Sequence, residues 1–474
     1  MRPNVLIFMP DQLRPDWVGP ANRGGARTPN IDALAARGVS FSSAICPSPI
    51  CGPSRASLAT GYEYDRCTVP NNRFSVGIEE PNFYRQLAAS GYQVLTCGKL
   101  DLLKGELDWG TDGQHDGRLG ELGFTGGLDS GGKHAVLIAH RAGAPEPYLD
   151  FLRERGLAEA HVADFAERRN PALGVAAESH PGAGPNFRNL AASPLPDDAY
   201  QDDWIGDCGL DLVREAGQGE RPWFLQVNLA GPHEPMNITE AMAASVAGRE
   251  MPPPVGNADP EAPHTGIRRI YTAMVERLDE IFGRFVAALA ETGQLERTVI
   301  VMTSDHGEML GDCGRWEKFV PYQSSIGVPL IIAGPGVATG ECTGPVSLLD
   351  LHATVLELAG AEAIPGTDSV SLVPALADPG IRPREVVFSG LGQWRIAFDG
   401  KLKLVAGWDP GVARREMEDA RFDPATIRTA PLVDPARDPC EGRDLAGEQP
   451  EVAARLRAQL AGNAARARRD PVPA

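Results

Sequence analysis

The sequence predicts an α/β fold with a large, mostly parallel central sheet flanked by helices, followed by a smaller C-terminal α+β subdomain with an antiparallel sheet. Short apolar runs alternate with helix-like segments through the first hundred residues, which is typical of a layered fold on a parallel sheet. From about residue 380 the pattern changes to closely spaced strands of the hairpin type. We therefore expect a main domain at residues 1–379 and a subdomain at residues 380–474.

The first strand is the continuous apolar run NVLIFM, which suits a strand buried on both faces. The helix after it is bounded by Thr28 as N-cap, Pro29 at the first helical position and Gly38 at its end. Further strands are predicted at GVSFSSAIC, YQVLTCGK, RPWFLQVNLAG, TVIVMTS and VPLIIAGPG, with helices at FYRQLAASG, residues 266–292 and SLLDLHATVLELAG.

Residues 105–220 are rich in Gly, Asp and Pro and contain few apolar runs, which indicates insertions carried on the loops of the sheet. Two helices are expected among them, within PEPYLDFLRERG and DDAYQDDWIGDCGLDLVREAG. In the subdomain we expect strands at EVVFSG, WRIAFDG and KLKLVAG, and a final Ala/Arg-rich helix.

Composition narrows the classes of function. The 474 residues are 42% hydrophobic and 23% charged, as in an ordinary globular protein, and the net charge is −18. Such a charge repels nucleic acids and anionic membrane surfaces, so an anionic substrate would need a local positive pocket. The eight cysteines form no CxxC pair, which argues against a disulfide framework and a zinc ribbon.

The N-terminal apolar run is too short for a signal peptide, and no window approaches the roughly 20 apolar residues of a membrane span. We therefore expect a cytoplasmic protein with neither a membrane nor a nucleic-acid partner. The oligomeric state is open, and a homo-oligomer is possible.

Polar side chains follow several predicted strands, where ligands bind in open α/β sheets. Asp11 and Gln12 follow the first strand, and Asp305 and His306 follow TVIVMTS. A carboxylate there is also a common helix N-cap, but two such strand ends with an imidazole favour a metal site. Oxygen ligands suit Ca²⁺ or Mg²⁺, and the single histidine leaves Mn²⁺ or Zn²⁺ open.

Basic side chains occur at similar places. Lys99 and His233 each follow a strand, Lys318 lies shortly after the Asp305 strand, and Arg55 lies in a predicted helix. Each of these alone is often just a solvated surface residue, but together they suit a multiply charged oxyanion such as sulfate or phosphate. Cys51 stands at the predicted start of that helix, where the backbone amides favour an anion, and so is the candidate nucleophile.

The stretch C-x-P-S-R followed by ASLATG resembles the signature of the sulfatases, a family of the alkaline phosphatase superfamily. Similar segments are NVLIFMPDQLRPDWVG, TPNIDALAARGVSF, TSDHGEMLGD and VPLIIAGPG, so the resemblance covers roughly residues 1–100 and 220–360. It implies an alkaline-phosphatase-like fold and hydrolysis of a sulfate ester to an alcohol and inorganic sulfate. Matching signature positions are Cys51, Pro53, Ser54, Arg55, Leu58, Thr60 and Gly61, whereas Ala59 replaces the usual Leu.

The resemblance also implies a modified nucleophile. In this family a maturation enzyme oxidises the signature cysteine to formylglycine, so Cys51 would become an aldehyde that hydrates to a geminal diol. One hydroxyl would attack sulfur and the other would later expel sulfate. A plain thiol lacks the second oxygen.

Site roles follow residue by residue from the same resemblance. One divalent metal ion, with calcium first and Mn²⁺, Mg²⁺ or Zn²⁺ as alternatives, would be held by Asp11, Gln12, residue 51, Asp305 and His306. Arg55 would hold the diol, and Lys99 and Lys318 the sulfuryl oxygens. His233 would protonate the leaving alcohol or stabilise the sulfuryl group. Asn72 would contact the ester group. Because Asn71 is adjacent, the alignment with the family leaves open which of the two asparagines has this role.

This sequence departs from the family pattern at three places. Asp101 replaces a histidine, and we expect it to contact a polar or cationic part of the substrate or to pair with Lys104. Cys313 also replaces a histidine. Gln12 replaces a carboxylate and should make the metal site less negative, as in the phosphonate monoester hydrolase branch. The alternative function is therefore a phosphonate monoester or phosphodiester hydrolase with the same formylglycine and metal.

The substrate itself is described only coarsely by the sequence. The acidic chain favours a small monosulfate over a heavily sulfated polymer. Asp101, with Asp108, Trp109 and His115, is a candidate lining of the substrate pocket.

Overall fold

The computed structural model describes residues 2–104, 118–168, 187, 189–256 and 264–469. Its strands are β1 (Asn4–Asp11), β2 (Val39–Phe41), β3 (Ala44–Ile45), β4 (Gln93–Gly98), β5 (Gly126–Gly127), β6 (Trp223–Pro232), β7 (Thr298–Thr303), β8 (Leu330–Ala333), β9 (Gly340–Cys342), β10 (Val346–Ser347), β11 (Val387–Leu391), β12 (Trp394–Phe398), β13 (Lys403–Ala406) and β14 (Leu432–Val433). Its α-helices are α1 (Pro29–Ala35), α2 (Cys51–Thr60), α3 (Phe83–Ala89), α4 (Arg118–Leu122), α5 (Lys133–Ala142), α6 (Pro147–Glu154), α7 (Ala158–Arg168), α8 (Gln201–Gly217), α9 (Glu240–Ser245), α10 (His264–Glu291), α11 (Gln323–Ile326), α12 (Asp350–Ala359), α13 (Val373–Ala377), α14 (Arg414–Asp419) and α15 (Pro450–Arg469).

The central sheet has eight strands in the order β5-β4-β6-β1-β7-β8-β2-β9. Strand β1 runs parallel to β6 and β7, and β4 runs parallel to β6, whereas β8 runs antiparallel to β7 and β2. The predicted mostly parallel α/β sheet is therefore confirmed. Because β4, β6, β1 and β7 point the same way, their carboxyl ends meet at one edge.

The centre of the sheet explains why NVLIFM is apolar without alternation. All eight residues of β1 are buried. Successive side chains point to opposite faces, so Phe8 packs edge-on against Phe282 and Phe285 of α10, with ring centroids 5.2 and 5.8 Å away. Ile7 lies in the apolar cluster on the other face. Both faces of β1 are thus covered.

The C-terminal sheet is antiparallel, in the order β11-β12-β13-β14, as the hairpin pattern predicts. Helix α15 packs on it through Ala453, Leu456 and Leu460, which share an apolar cluster with Leu404. The short strand β14 is not evident from the sequence, since two residues carry no periodic pattern.

Some expectations need correction in detail. The strand expected at GVSFSSAIC divides into β2, which joins the central sheet, and β3, which pairs with β10. In the insertion-rich region α6 and α8 are confirmed. The elements β5, α4, α5 and α7 were missed, because the Gly-, Asp- and Pro-rich composition around them indicated loops. Asp108, Trp109 and His115 lie outside the described residues. No helix in the described ranges has both the length and the apolar character needed to cross a bilayer.

One cysteine pair forms a disulfide, although the cysteine spacing argued against a disulfide framework. Cys313, in the loop after β7, is bonded to Cys440, with Cα atoms 5.6 Å apart and 127 residues between them in sequence. Nearby, the Lys403 ammonium donates to the Pro321 carbonyl and to the Glu441 carboxylate, each at 2.6 Å. Sequence spacing could not reveal a pair brought together only by the fold. The bond fastens the loop to the C-terminal part of the chain.

Breaking this bond should lower stability. Replacing both Cys313 and Cys440 by serine should reduce the free energy of unfolding by about 2–4 kcal/mol, because the unfolded chain regains the freedom of a long loop. Urea denaturation would measure the change. The matched control is Cys208→Ser at a free, half-buried thiol. Equal stability of the double variant and the parent under oxidising conditions would contradict the prediction.

Candidate active site

The carboxyl edge of the sheet collects the residues predicted for the site. The pairing of β1 with β6 shifts register between Pro10 and Asp11, and Gln12 has a φ of 68°, so the chain turns sharply there. Asp305 and His306 follow β7, and Lys99 and His233 directly follow β4 and β6. Helix α2 begins at Cys51 itself.

Four potential ligands converge at this edge. One ligand atom from each of Asp11, Cys51, Asp305 and His306 lies within 4.8 Å of the others, and all four residues are buried. The Cys51 sulfur is 3.1 Å from His306 Nε2 and 3.8 Å from Asp11 Oδ1. His306 Nδ1 lies 3.0 Å from the Gly307 carbonyl oxygen, which leaves Nε2 facing the cluster. Two carboxylates and one imidazole are a fitting donor set for a divalent cation.

The Gln12 side chain lies beside this cluster but is held by other groups. Its amide nitrogen donates to Glu234 at 2.7 Å and also to Glu308, and its amide oxygen accepts from Lys318. The Gln12 backbone N–H donates to Asp305 Oδ1 at 3.0 Å. Gln12 therefore connects the ligand cluster to a second group of charged residues, and its role as a ligand stays a prediction.

Arg55 is the most heavily bonded cation of the site. Its Nε donates to Asp305 Oδ2 at 2.9 Å, and its Nη1 donates to Asn228 Oδ1 at 3.0 Å and to the Lys99 carbonyl. Its Nη2 lies 3.7 Å from Asp11 Oδ2 and is buried without a hydrogen-bond partner in the described part of the chain. Buried N–H groups normally have an acceptor, so this one is available to an oxygen bound at the site.

Electrostatics favour anions at the centre of the cluster. Burial by itself would raise the pKa of Asp11, but cationic neighbours, Lys99 foremost, hold that pKa well below its usual range. Burial and Asp11 likewise act to raise the pKa of the Cys51 thiol, yet Lys99, Lys104 and His306 outweigh them and lower it. The Lys99 ammonium contacts Asp11 directly and lies 3.4 Å from the Cys51 sulfur.

Lys318 and His233 form a basic pair that reaches the ligand cluster through Gln12. Lys318 Nζ lies 2.6 Å from His233 Nε2, and His233 Nδ1 is within hydrogen-bond distance of the Glu234 carbonyl. Burial, reinforced by Lys318, holds the pKa of His233 well below its usual value. Burial would lower the pKa of Lys318, but Glu234 and other anions outweigh it and raise that pKa. A neutral imidazole therefore accepts a hydrogen bond from an ammonium.

Asp101 is paired rather than facing the site alone. It has a φ of 58°, is buried, and accepts from Lys104 at 2.5 Å while lying 3.3 Å from Lys99 Nζ. The structure thus realises the expected pairing with Lys104. Asp101 orients Lys99, and the two lysines compensate its charge.

The two neighbouring asparagines have different partners. Asn72 Oδ1 accepts from the Gly52 N–H at 2.8 Å, in the first turn of α2, whereas Asn71 Oδ1 accepts from the Arg73 N–H at 3.1 Å. Asn72 is therefore the one that touches the helix carrying Cys51. Its contact with an ester stays a prediction.

Three site residues were missed by sequence reasoning. Glu234 and Glu308 both accept from the Gln12 side-chain amide. Glu234 directly follows His233 and Glu308 lies two residues after His306, so their positions in the sequence could have indicated them. Glu308 also accepts from the Leu310 N–H at 2.9 Å and so shapes the loop after β7. His134, on α5, lies beside His233 with ring centroids 5.8 Å apart. It comes from the insertion-rich region, where no motif marked it.

Comparison with known proteins decides the family. The family model described as Sulfatase matches residues 3–361. The chain belongs to the sulfatase family. It is 30% identical to the choline-sulfatase of Rhizobium meliloti (strain 1021) over 414 residues, which are 79% of this chain and 71% of that protein. It is 25% identical to the arylsulfatase of Clostridium perfringens (strain 13 / Type A) over 408 residues, 78% of each chain.

A solved structure shows the same fold. The phosphonate monoester hydrolase of Silicibacter pomeroyi superposes with a TM-score of 0.74 at 23% identity, covering 99% of this chain and 96% of that one. The sulfatase therefore has the alkaline-phosphatase-like fold. Its family and its named relatives identify it as a sulfuric ester hydrolase.

The four-ligand cluster makes a direct prediction for metal binding. Asp305→Ala in this sulfatase should weaken binding of Ca²⁺ or Mn²⁺ by about a hundredfold or more, because a charged ligand is lost. Calorimetric titration of each ion would measure it. The matched control is Asp312→Ala. Asp312 lies in the same loop and, like Asp305, is a buried ion-pair partner of arginine, here Arg14 and Arg268, but it lies outside the cluster. Equal metal affinity in the parent and Asp305→Ala would contradict the assignment.

Proposed function

We propose that this sulfatase hydrolyses a small sulfate ester to an alcohol and inorganic sulfate, using formylglycine matured from Cys51 as the nucleophile precursor. The observation that carries the proposal is the position of the Cys51 side chain. It lies at the first residue of α2, within 4.8 Å of two carboxylates and an imidazole, with Lys99 at 3.4 Å. A reactive group here would meet both a cation site and the positive charges that an oxyanion needs.

The donor set supports one divalent metal ion held by Asp11, Asp305, His306 and residue 51, with Gln12 as a further ligand. Calcium is proposed first because the ligands are mostly hard oxygens, and Mn²⁺, Mg²⁺ and Zn²⁺ are the alternatives. When bound, the ion would supply Lewis-acid stabilisation of negative charge on the transferring group, and matured residue 51 would supply the attacking oxygen.

The protein's own side chains provide the remaining steps. Nη2 of Arg55, which is buried without a partner in the described part of the chain, supports a role in holding an oxygen on residue 51. Lys99, 3.4 Å from the Cys51 sulfur, and Lys318, beside Gln12, would neutralise the sulfuryl oxygens. Since the Lys318 ammonium faces Nε2 of His233, the pair holds the proton that the leaving alcohol needs.

The proposal includes several features of the substrate and cellular setting. A net charge of −18 supports a small monosulfate rather than a polyanion. The partner we propose is a maturation enzyme that oxidises Cys51; a homo-oligomer is possible. A cytoplasmic location stays part of the proposal, although the Cys313–Cys440 bond would there have to withstand a reducing environment.

A second candidate is a phosphonate monoester or phosphodiester hydrolase with the same formylglycine and metal. It is favoured by Gln12, an amide where many sulfatases have a carboxylate, and by the shared fold of a phosphonate monoester hydrolase. Both substrate types carry one negative charge on the transferring group, so charge alone discriminates weakly. The named sulfatase relatives support the sulfate ester as the main substrate class.

The nucleophile can be tested on the protein from its native host. Mass spectrometry of the peptide containing residue 51 should detect the aldehyde in place of the thiol. Cys51→Ala should lower the rate of sulfate ester hydrolysis by roughly a thousandfold or more, as expected for loss of a nucleophile. Cys46→Ala, at another buried free thiol, is the matched control and should keep most of the activity. Thiol alone in the peptide, with full activity of Cys51→Ala, would sink the proposal.

The choice of transferring group can be tested with substrates that share one leaving group. We expect kcat/KM for para-nitrophenyl sulfate to exceed that for para-nitrophenyl phenylphosphonate by at least about tenfold. Because the leaving alcohol is the same, the ratio reports recognition of the sulfuryl or phosphonyl group. The reverse order would make the second candidate the main function.

A further inference from the structure

A second group of metal-binding side chains lies beside the first. One ligand atom from each of His134, His233 and Glu234 lies within 4.8 Å of the others. The rings of His134 and His233 are nearly perpendicular, at 78°, with centroids 5.8 Å apart. His134 comes from α5 and the other two from the segment after β6, so two separate parts of the chain converge here.

The donor chemistry of this group differs from that of the first cluster. Two imidazoles and one carboxylate form a set typical of Zn²⁺ and related transition metals, with an open position for water. The first cluster, with two carboxylates and one imidazole, suits a harder ion. The two clusters should therefore select different metals.

The group is also held in place and accessible. Glu234 Oε2 accepts from the Gln12 amide at 2.7 Å and lies 3.4 Å from His233 Nδ1, so its carboxylate is fixed between the two clusters. The side chain of Glu234 is 4% exposed, whereas that of His233 is 12% exposed and His134 is partly exposed. The histidines thus form the more exposed end of the group, and Glu234 forms its buried end.

We propose that His134, His233 and Glu234 form a second metal site, which takes Zn²⁺ or a similar transition-metal ion and blocks the active site when filled. The block follows from the position of His233, which lies 2.6 Å from Lys318 Nζ. A histidine engaged on an ion cannot accept and pass on a proton, and a nearby divalent charge repels the Lys318 ammonium. This second half of the inference rests on the proposed role of His233.

Binding is tested without turnover. In an Asp305→Ala background, which disables the first cluster, calorimetric titration with ZnCl₂ should detect one ion per chain. Adding His134→Ala or His134→Gln should weaken that binding by at least about tenfold, because a ligand is lost. The matched control is His140→Ala, on the same helix α5 and outside the group. Unchanged zinc affinity in both His134 variants would overturn the site.

Inhibition is tested in the parent enzyme saturated with its activating ion. Zinc should inhibit hydrolysis of para-nitrophenyl sulfate. When each rate is expressed as a fraction of the same variant's zinc-free rate, His134→Ala should raise the half-inhibitory zinc concentration at least about tenfold above that of the parent. His140→Ala should behave as the parent. Zinc that binds at the group without slowing the enzyme would overturn the block. Because the binding test needs no substrate, absence of sulfatase activity would refute the proposed function and leave the site itself standing.

Discussion

The buried guanidinium of Arg55 holds the active site together. It is 1% exposed, and its bonds reach Asp305 after β7, Asn228 in β6 and the Lys99 carbonyl after β4. A charge in such a place is tolerated only when it is paired and hydrogen-bonded, so these partners must assume their positions for the protein to fold. The same contacts fix the start of α2, because Arg55 lies one turn after Cys51. Folding and the placement of the nucleophile are therefore one requirement.

Gln12 shows how a change at one position is compensated by others. An amide in place of a carboxylate was expected to make the metal site less negative, but Glu234 and Glu308 both lie behind that amide. Burial and the charge of Glu234 raise the pKa of Glu308 to about 8, so near neutral pH that acid is mostly protonated and Glu234 carries the charge. One negative charge thus remains close to position 12. The effect of Gln12 on the metal site stays a prediction, to be judged together with Glu234 and the Lys318 ammonium, which both contact its side chain.

Much of the site was predictable because it lies at strand ends. Asp11, Lys99, His233 and Asp305 follow strands that are parallel neighbours, and the carboxyl ends of such strands share an edge. The long apolar runs that define those strands are strong signals, and so the fold class followed as well. The Asp101–Lys104 pair was predictable for a simpler reason. The two residues have opposite charges and lie only three positions apart in one short loop, so their side chains are within reach of each other.

The parts that escaped prediction depend on contacts between distant segments. Nothing in the insertion-rich region distinguishes His134 from other histidines until α5 packs beside the segment after β6. The bond between Cys313 and Cys440 spans 127 residues and joins two loops that carry no cysteine motif. His134 lies beside His233, and Cys313 lies in the loop that carries Lys318. The strand ends bring together the four-ligand cluster and His233, whereas the insertion-rich region supplies His134 and the C-terminal part holds the loop of Lys318 through the disulfide. The chemistry of the transferring group is therefore easier to predict from the sequence than the identity of the alcohol.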